Sequence, residues 1–291
     1  MFSGSITALI TPFTNGEIDD AAFQRFVAWQ IEQGSDGLVP SGSTGESATM
    51  SHGEHERVIR LCVEAAAGRV PVIAGTGSNS TAEAISLTKA AETCGANAAL
   101  VVTPYYNKPS QEGLYQHYKA IHDSVGIPII IYNIPGRSVI DMSVETMARL
   151  AKFPRIVGVK DATADLTRPS RLREAVGPDF CQLSGEDPTA AAFLAQGGHG
   201  CISVTANVAP KACAQLQAAW RAGDLAELAR LRDLLTPLNT ALFVEVNPVP
   251  VKYAASVLGF CDGSLRLPLI AASAETRKTV ETAMRRAGLI V

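Results

Sequence analysis

Residues 156–162 read Ile156-Val157-Gly158-Val159-Lys160-Asp161-Ala162. The run is short and β-branched, the pattern of a buried strand. A lysine closes it where a core strand would take another apolar residue. Lysine is almost never fully buried without a reason. An apolar surrounding disfavours an ammonium, and a desolvated amine is a nucleophile that attacks ketones to give a Schiff base. The other reading is a side chain that snorkels past the strand end into water. Which one holds depends on where the strand sits, and the flanking sequence supplies that.

Outward from this strand, strands and helices alternate. Strands are expected over Ser5–Phe13, Asp36–Pro40, Val70–Gly75, Ala98–Thr103, Ile127–Tyr132, Ile156–Lys160, Phe180–Ser184 and Gly200–Thr205. Helices are expected between them over Asp19–Glu32, Ser51–Ala67, Ser80–Cys94, Ser110–Ser124, Ser143–Ala151, Leu166–Ala175 and Pro188–Gln196. More follow over Pro210–Arg221, Asp224–Leu235, Val244–Leu258 and Ala274–Ala287. Ser51 with Glu54 three residues on forms a capping-box pattern, and Pro188 suits a first helical position. Eight successive βα pairs with strands apolar on both faces indicate a parallel sheet. Their even spacing favours closure over an open doubly wound sheet. The expected α/β fold is therefore a (β/α)8 TIM barrel over residues 1–223. Residues 224–291 are expected to add a C-terminal helical extension packed on it.

Such a barrel keeps its chemistry at the C-terminal ends of its strands. The polar and aromatic residues collect there: Ser43 and Thr44, Tyr105 and Tyr106, Tyr132 and Arg137, Lys160, then Gly185 and Glu186. The helix-to-strand turns carry ordinary glycine and proline. This asymmetry favours the functional reading of Lys160.

Composition narrows the field further. The chain has 291 residues, 47% of them hydrophobic, and a net charge of −3. No basic surface invites nucleic acid or anionic lipid. No apolar run approaches a membrane span, and the N-terminus lacks the pattern of a signal peptide. The six cysteines form no C-x-x-C pair; several sit in apolar strand or helix patterns and read as small buried hydrophobes, which fits a reducing cytoplasm.

Several residues could carry chemistry. Ser41-Gly42-Ser43-Thr44-Gly45-Glu46 lets backbone N–H groups and two hydroxyls approach a small carboxylate, though a plain glycine-rich turn has the same composition. It is not a Walker loop, and no dinucleotide fingerprint opens the chain. The Tyr132 phenol can relay protons at the same mouth as Lys160. Arg137 offers a fork for a carboxylate. Tyr105-Tyr106 reads as an aromatic lid or an interface pair. His52 and His55, three apart on one helix, lack a third ligand, so no metal site is expected.

Taken together these residues resemble the pyruvate-dependent class I aldolases, and among them the dihydrodipicolinate synthase family. The resemblance rests on motifs in order: Gly42-Ser43-Thr44-Gly45-Glu46-Ser47-Ala48, Val102-Thr103-Pro104-Tyr105-Tyr106-Asn107-Lys108-Pro109 and Tyr132-Asn133-Ile134-Pro135-Gly136-Arg137. Gly158-Val159-Lys160-Asp161-Ala162, Leu183-Ser184-Gly185-Glu186-Asp187, Gly197-Gly198-His199-Gly200-Cys201-Ile202-Ser203-Val204 and Asn247-Pro248-Val249-Pro250-Val251-Lys252 continue it. Two departures stand out. Ser43 occupies a position where that family often has threonine, and Ser138-Val139 replace a common Thr-Gly.

The resemblance implies a lyase of diaminopimelate and lysine biosynthesis that works without a metal or organic cofactor. Pyruvate condenses with Lys160, and the resulting enamine attacks L-aspartate 4-semialdehyde. Tyr132 handles the proton, and Ser43 and Tyr106 complete a hydroxyl relay, Tyr106 reaching a neighbouring subunit. Thr44 and Ile202 hold the pyruvate part, Arg137 the semialdehyde carboxylate, and Gly185 lines the substrate site. The resemblance also implies a homotetramer, a dimer of tight dimers, and an allosteric L-lysine pocket of Ser47, Ala48, His52, His55, Asn79, Glu83 and Tyr105. The alternatives are a sister lyase acting on N-acetylneuraminate or a 2-keto-3-deoxy sugar acid, against which Arg137 argues, and a catalytically silent keto-acid sensor.

Overall fold

The computed structural model describes residues 1–291. Eight parallel strands form the sheet: β1 (Gly4–Ala8), β2 (Gly37–Val39), β3 (Ile73–Gly75), β4 (Ala98–Val102), β5 (Ile129–Asn133), β6 (Ile156–Asp161), β7 (Cys181–Ser184) and β8 (Gly200–Ser203). Each pairs with its neighbour in sequence, and β8 pairs with β1. A bridge between Leu38 and Val72 joins β2 to β3 and closes the cylinder. The expected TIM barrel is therefore present. Its interior is filled by Ile6, Val39, Ile73, Leu100, Ile130, Leu183 and Ile202.

Helices α1 (Asp20–Glu32), α2 (His52–Ala66), α3 (Thr81–Thr93), α4 (Gln111–Ser124), α5 (Pro135–Ser138), α6 (Val144–Leu150), α7 (Arg168–Val176), α8 (Ala190–Ala195) and α9 (Pro210–Ala222) surround it. Their starts follow local chemistry. Ser51 and Glu54 form the reciprocal capping box, and Asp19, Ser80, Ser110 and Ser143 each accept an N–H of the first turn. Helices α10 (Leu225–Ala241), α11 (Val249–Val257) and α12 (Ala274–Arg286) pack on the barrel through a shared apolar layer that includes Phe26, Val27, Leu235, Leu238, Val251 and Met284.

The structure shifts four sequence expectations. The first strand ends at Ala8 rather than Phe13. Phe13–Thr14 instead pairs antiparallel with Glu17–Ile18, across Asn15 and Gly16, both at positive φ, as an Asn-Gly hairpin turn requires. The helix expected to end at Leu235 runs on to Ala241 through Pro237. Proline removes one helical hydrogen bond, and the burial of Leu235, Leu238 and Ala241 offsets that loss. The helix expected from Val244 starts only at Val249, because prolines 248 and 250 suit a first turn and nothing further inside. Residues 243–248 are thereby left to reach the barrel mouth. The helix expected from Pro188 opens as a 3-10 turn, Asp187–Thr189, before α8.

Two features fix the barrel mouth. The first is a register shift between β5 and β6: Ile129 pairs with Ile156, but Ile130 pairs with Gly158. Val157 is the extra residue of a bulge. Gly158 is required at this spot, since a Cβ there would lie 2.4 Å from the Cys181 carbonyl oxygen of β7.

The second is a buried ion pair. Glu46, at φ 59° after the Gly42–Gly45 turn, receives Lys252 of α11 at 2.5 Å, with both side chains essentially inaccessible. The Lys252 ammonium also lies 3.9 Å from the Phe13 ring centroid. The Arg266 N–H donates to the other Glu46 oxygen at 3.0 Å, and its guanidinium holds Glu54 and the Thr49 carbonyl. The C-terminal helices are thus bolted to the loop after β2.

Lys252→Met is expected to cost about 3–5 kcal/mol of stability, because it leaves a buried uncompensated carboxylate; denaturant unfolding measures it. The double variant with Glu46→Leu should regain a substantial part. Gly158→Ala is expected to push β6 away from β7, lowering the melting temperature and moving Lys160 in a crystal structure of the variant.

Candidate active site

Lys160 faces the barrel interior and is 6% exposed. Tyr132 of β5 is its register partner, and the Lys160 amine lies 4.1 Å from the Tyr132 ring centroid. Asp161, one residue on, points the other way. It binds Arg168 at 2.9 Å and accepts from the Thr163 N–H and hydroxyl. The adjacent acid and amine are thus separated by strand alternation.

The amine opens into a cavity of about 390 Å³. Ser43, Thr44, Arg137, Tyr132 and Gly185 line it with Lys160. The loop after β2 is held by hydrogen bonds of its own backbone, Gly45 to Gly42 and Glu46 to Ser43, and by the Thr11 hydroxyl on the Gly45 carbonyl at 2.8 Å. Asn247 ties the two sides of the mouth together. Its amide donates to the Thr44 hydroxyl at 3.0 Å, and its backbone carbonyl accepts from Arg137 at 2.9 Å. Gly185 packs against the amine's stem: a Cβ there would lie 3.1 Å from the Lys160 Cε and 2.7 Å from the Ala162 Cβ.

The same cavity continues outward. Ser47, Ala48, His52, His55, Glu83 and Tyr105 line its other half. The Glu83 carboxylate accepts from the Ser78 hydroxyl and sits 2.9 Å from the His52 Nε2. These two hydrogen bonds, the Ser78 one first, hold its pKa below the usual carboxylate value. His55 is buried and places its Nε2 2.8 Å from the Gly75 carbonyl, so that nitrogen carries the proton. Its Nδ1 is left buried without a partner, and burial lowers the ring's pKa.

Three of the expected site residues lie apart from this lining. The Ile202 side chain is in the barrel core, paired in register with Ile6. Asn79 accepts from Asn107 through its backbone carbonyl. Tyr106 is 87% exposed at φ 72° and points away from the protomer. Among the lining residues that the sequence did not point to as site residues, Asn247 and Glu186 stand out. The Asn247 signal was a motif with no chemistry assigned to it; the Glu186 signal was its place directly after a strand end.

The remaining groups are quiet. No cluster of three or more His, Cys, Asp or Glu could hold a metal ion. All six cysteines are free, and burial raises the Cys181 thiol to about 12. No helix is long and apolar enough to cross a membrane.

Residues 1–287 match the model of the dihydrodipicolinate synthetase family. A 4-hydroxy-tetrahydrodipicolinate synthase of Rhodospirillum centenum is 70% identical over 290 residues, covering all of both chains. The structure of a chloride-inhibited dihydrodipicolinate synthase from Acinetobacter baumannii, complexed with pyruvate, superposes with a TM-score of 0.97 at 47% identity over the whole of both chains. That of a Cyanidioschyzon merolae dihydrodipicolinate synthase with lysine bound gives 0.96 at 39% identity, covering 99% of each. With the family's motifs in order along one closed barrel, the chain belongs to the dihydrodipicolinate synthetase family.

Proposed function

We propose that this chain makes 4-hydroxy-tetrahydrodipicolinate by Schiff-base condensation of pyruvate with L-aspartate 4-semialdehyde. The observation that carries the reading is the cross-strand pair, a buried amine set over the Tyr132 ring at the closed end of a polar cavity. In this reading the Lys160 amine attacks the pyruvate carbonyl. Tyr132 returns the proton that lets the carbinolamine lose water. The Schiff base loses a methyl proton and becomes an enamine, which attacks the aldehyde carbon. The Thr44 hydroxyl and the N–H groups of its loop suit the keto acid's carboxylate, with Ile202 contributing its backbone. Arg137 suits the acceptor's carboxylate, and Ser43 passes protons onward. Closure of the ring then frees the amine.

We assign Tyr106 to the site of a neighbouring protomer, which accounts for a large aromatic standing clear of its own chain. The assembly proposed is a cytoplasmic homotetramer of two tight dimers, each protomer a barrel of residues 1–223 with the helical segment 224–291. We also assign the outer half of the cavity to L-lysine as feedback inhibitor. Glu83 supplies an anion for an ammonium, and the unpartnered Nδ1 of His55 supplies an acceptor. Asn79 completes this pocket through its loop.

Borohydride reduction in the presence of pyruvate is expected to fix the keto acid on Lys160, with no covalent mass gained by Lys160→Arg. Tyr132→Phe should slow turnover roughly 10²- to 10³-fold. Consumption of pyruvate with N-acetylmannosamine in place of the semialdehyde would overturn the choice of acceptor. Separately, Glu83→Ala is expected to abolish inhibition by L-lysine while pyruvate turnover persists; a wild-type enzyme indifferent to lysine would overturn that assignment.

A further inference from the structure

Two carboxylates line the cavity, Glu83 and Glu186. Glu83 lies in the outer half with His52, His55 and Tyr105, where His52 and Ser78 meet its oxygens. Asp187, next in sequence, is engaged by the Ser203 hydroxyl and the N–H groups of Val204 and Thr205. Glu186 differs from both. Its backbone is clasped by Ser184, whose hydroxyl accepts its N–H at 3.1 Å and meets its carbonyl at 3.0 Å. Glu186 lines the cavity, and its carboxylate has no hydrogen-bond donor, so that burial and neighbouring charges alone act on it. Burial raises its pKa, the nearby Lys160 charge opposes this, and the Asp187 and Asp161 charges add to it.

An acceptor that is an amino-acid aldehyde carries an ammonium as well as a carboxylate. Arg137 suits the carboxylate, and an ammonium brought into this cavity without an anion would be costly. Resting on the acceptor of the proposed function, we propose that the Glu186 carboxylate binds the α-ammonium of the semialdehyde and takes its proton so that the ring can close.

After the new carbon–carbon bond has formed, the adduct is still an iminium on the Lys160 Nζ. The ammonium gives one proton to Glu186. The freed lone pair attacks the iminium carbon, forming the ring C–N bond, and the C=N electron pair moves onto Nζ. A proton passes from the ring nitrogen to Nζ. The ring nitrogen's lone pair then forms the ring C=N bond as the bond from carbon to Nζ breaks, and Lys160 leaves as an amine. The proton left on the ring iminium passes to that amine, and Glu186 releases its own to water. Glu186 thus serves the second half of the reaction and not the first.

The test is Glu186→Gln in the full-length enzyme. Borohydride capture of pyruvate alone is expected to persist, with any change small beside the loss of turnover. Turnover with the semialdehyde should fall about 10²-fold or more, and borohydride should now capture both substrates together on Lys160. Its rate should recover as rising pH frees the amine in solution. Succinic semialdehyde, the same aldehyde without the amine, should condense equally well on both enzymes, and Glu186→Asp should keep part of the activity. Wild-type turnover by the glutamine variant, or an equal loss on pyruvate capture or on succinic semialdehyde, would overturn the assignment to Glu186 alone. A wild-type enzyme that leaves the semialdehyde unconsumed would overturn both this role and the function on which it rests.

Discussion

The arrangement depends on one extra residue in a strand. Side chains alternate along a strand, so Ile156 and Lys160 would share a face if β6 were regular. They do not: Ile156 packs outward with Val159 among the helices, while Lys160 faces inward beside Tyr132. The bulge at Val157 resets the alternation between them. A one-residue slip moves a whole strand's side chains to the other face. Without the bulge, Ile156 and Lys160 would be turned to the same side of the strand. Gly158 makes the local geometry feasible by letting β7 approach.

A second constraint holds what the amine must meet. The loop after β2 is glycine-rich and by itself would be loose, and its far end carries a carboxylate buried beneath α11. Ion pairs in apolar surroundings contribute little net stability, since desolvation consumes most of their attraction. Their value lies in the penalty for separation. Glu46 cannot leave Lys252 without stranding a charge on each side, so the loop and the C-terminal helices keep one mutual position. Asn247, five residues before Lys252, uses that position to contact Thr44 and Arg137 at once. Residues from opposite ends of the chain are held to a common frame in this way.

Much of this was legible in the sequence because it is local. The capping box at Ser51 and Glu54, the alternation of strand and helix, and the clustering of polar residues at strand ends each need only a few adjacent positions. The lysine at the end of β6 was visible for the same reason. What was not legible depends on partners far away. The bulge is defined by what lies opposite it on β5, and the partner of Glu46 is 206 positions on. Pro237 inside α10 reads as a stop until the buried residues beyond it are known. The Asn15-Gly16 turn was a local signal, but the strand leading into it went unread because Phe13 was taken as the end of an overlong first strand.

The continuity of the cavity bears on how an inner and an outer occupant could influence one another. Coupling between two sites is a free energy and is reciprocal, and it requires an element that both occupants bias. The loop of residues 41–48 fits that description. Ser43 and Thr44 border the amine's end of the cavity, and Ser47 and Ala48 border the end with Glu83 and His55. Its backbone hydrogen bonds, Ser47 to Gly42 and Gly45 to Gly42, make the short stretch move as a unit. Under the proposed regulation, a lysine between Glu83 and His55 would act on the position of Thr44 through Gly45 and Glu46, and pyruvate would act back by the same route. Glu46 sits within that stretch and is pinned to Lys252. Large movements of the loop are therefore closed off, and under the proposed reading the coupling would be confined to small displacements of hydroxyl and N–H groups against a keto acid held on Lys160.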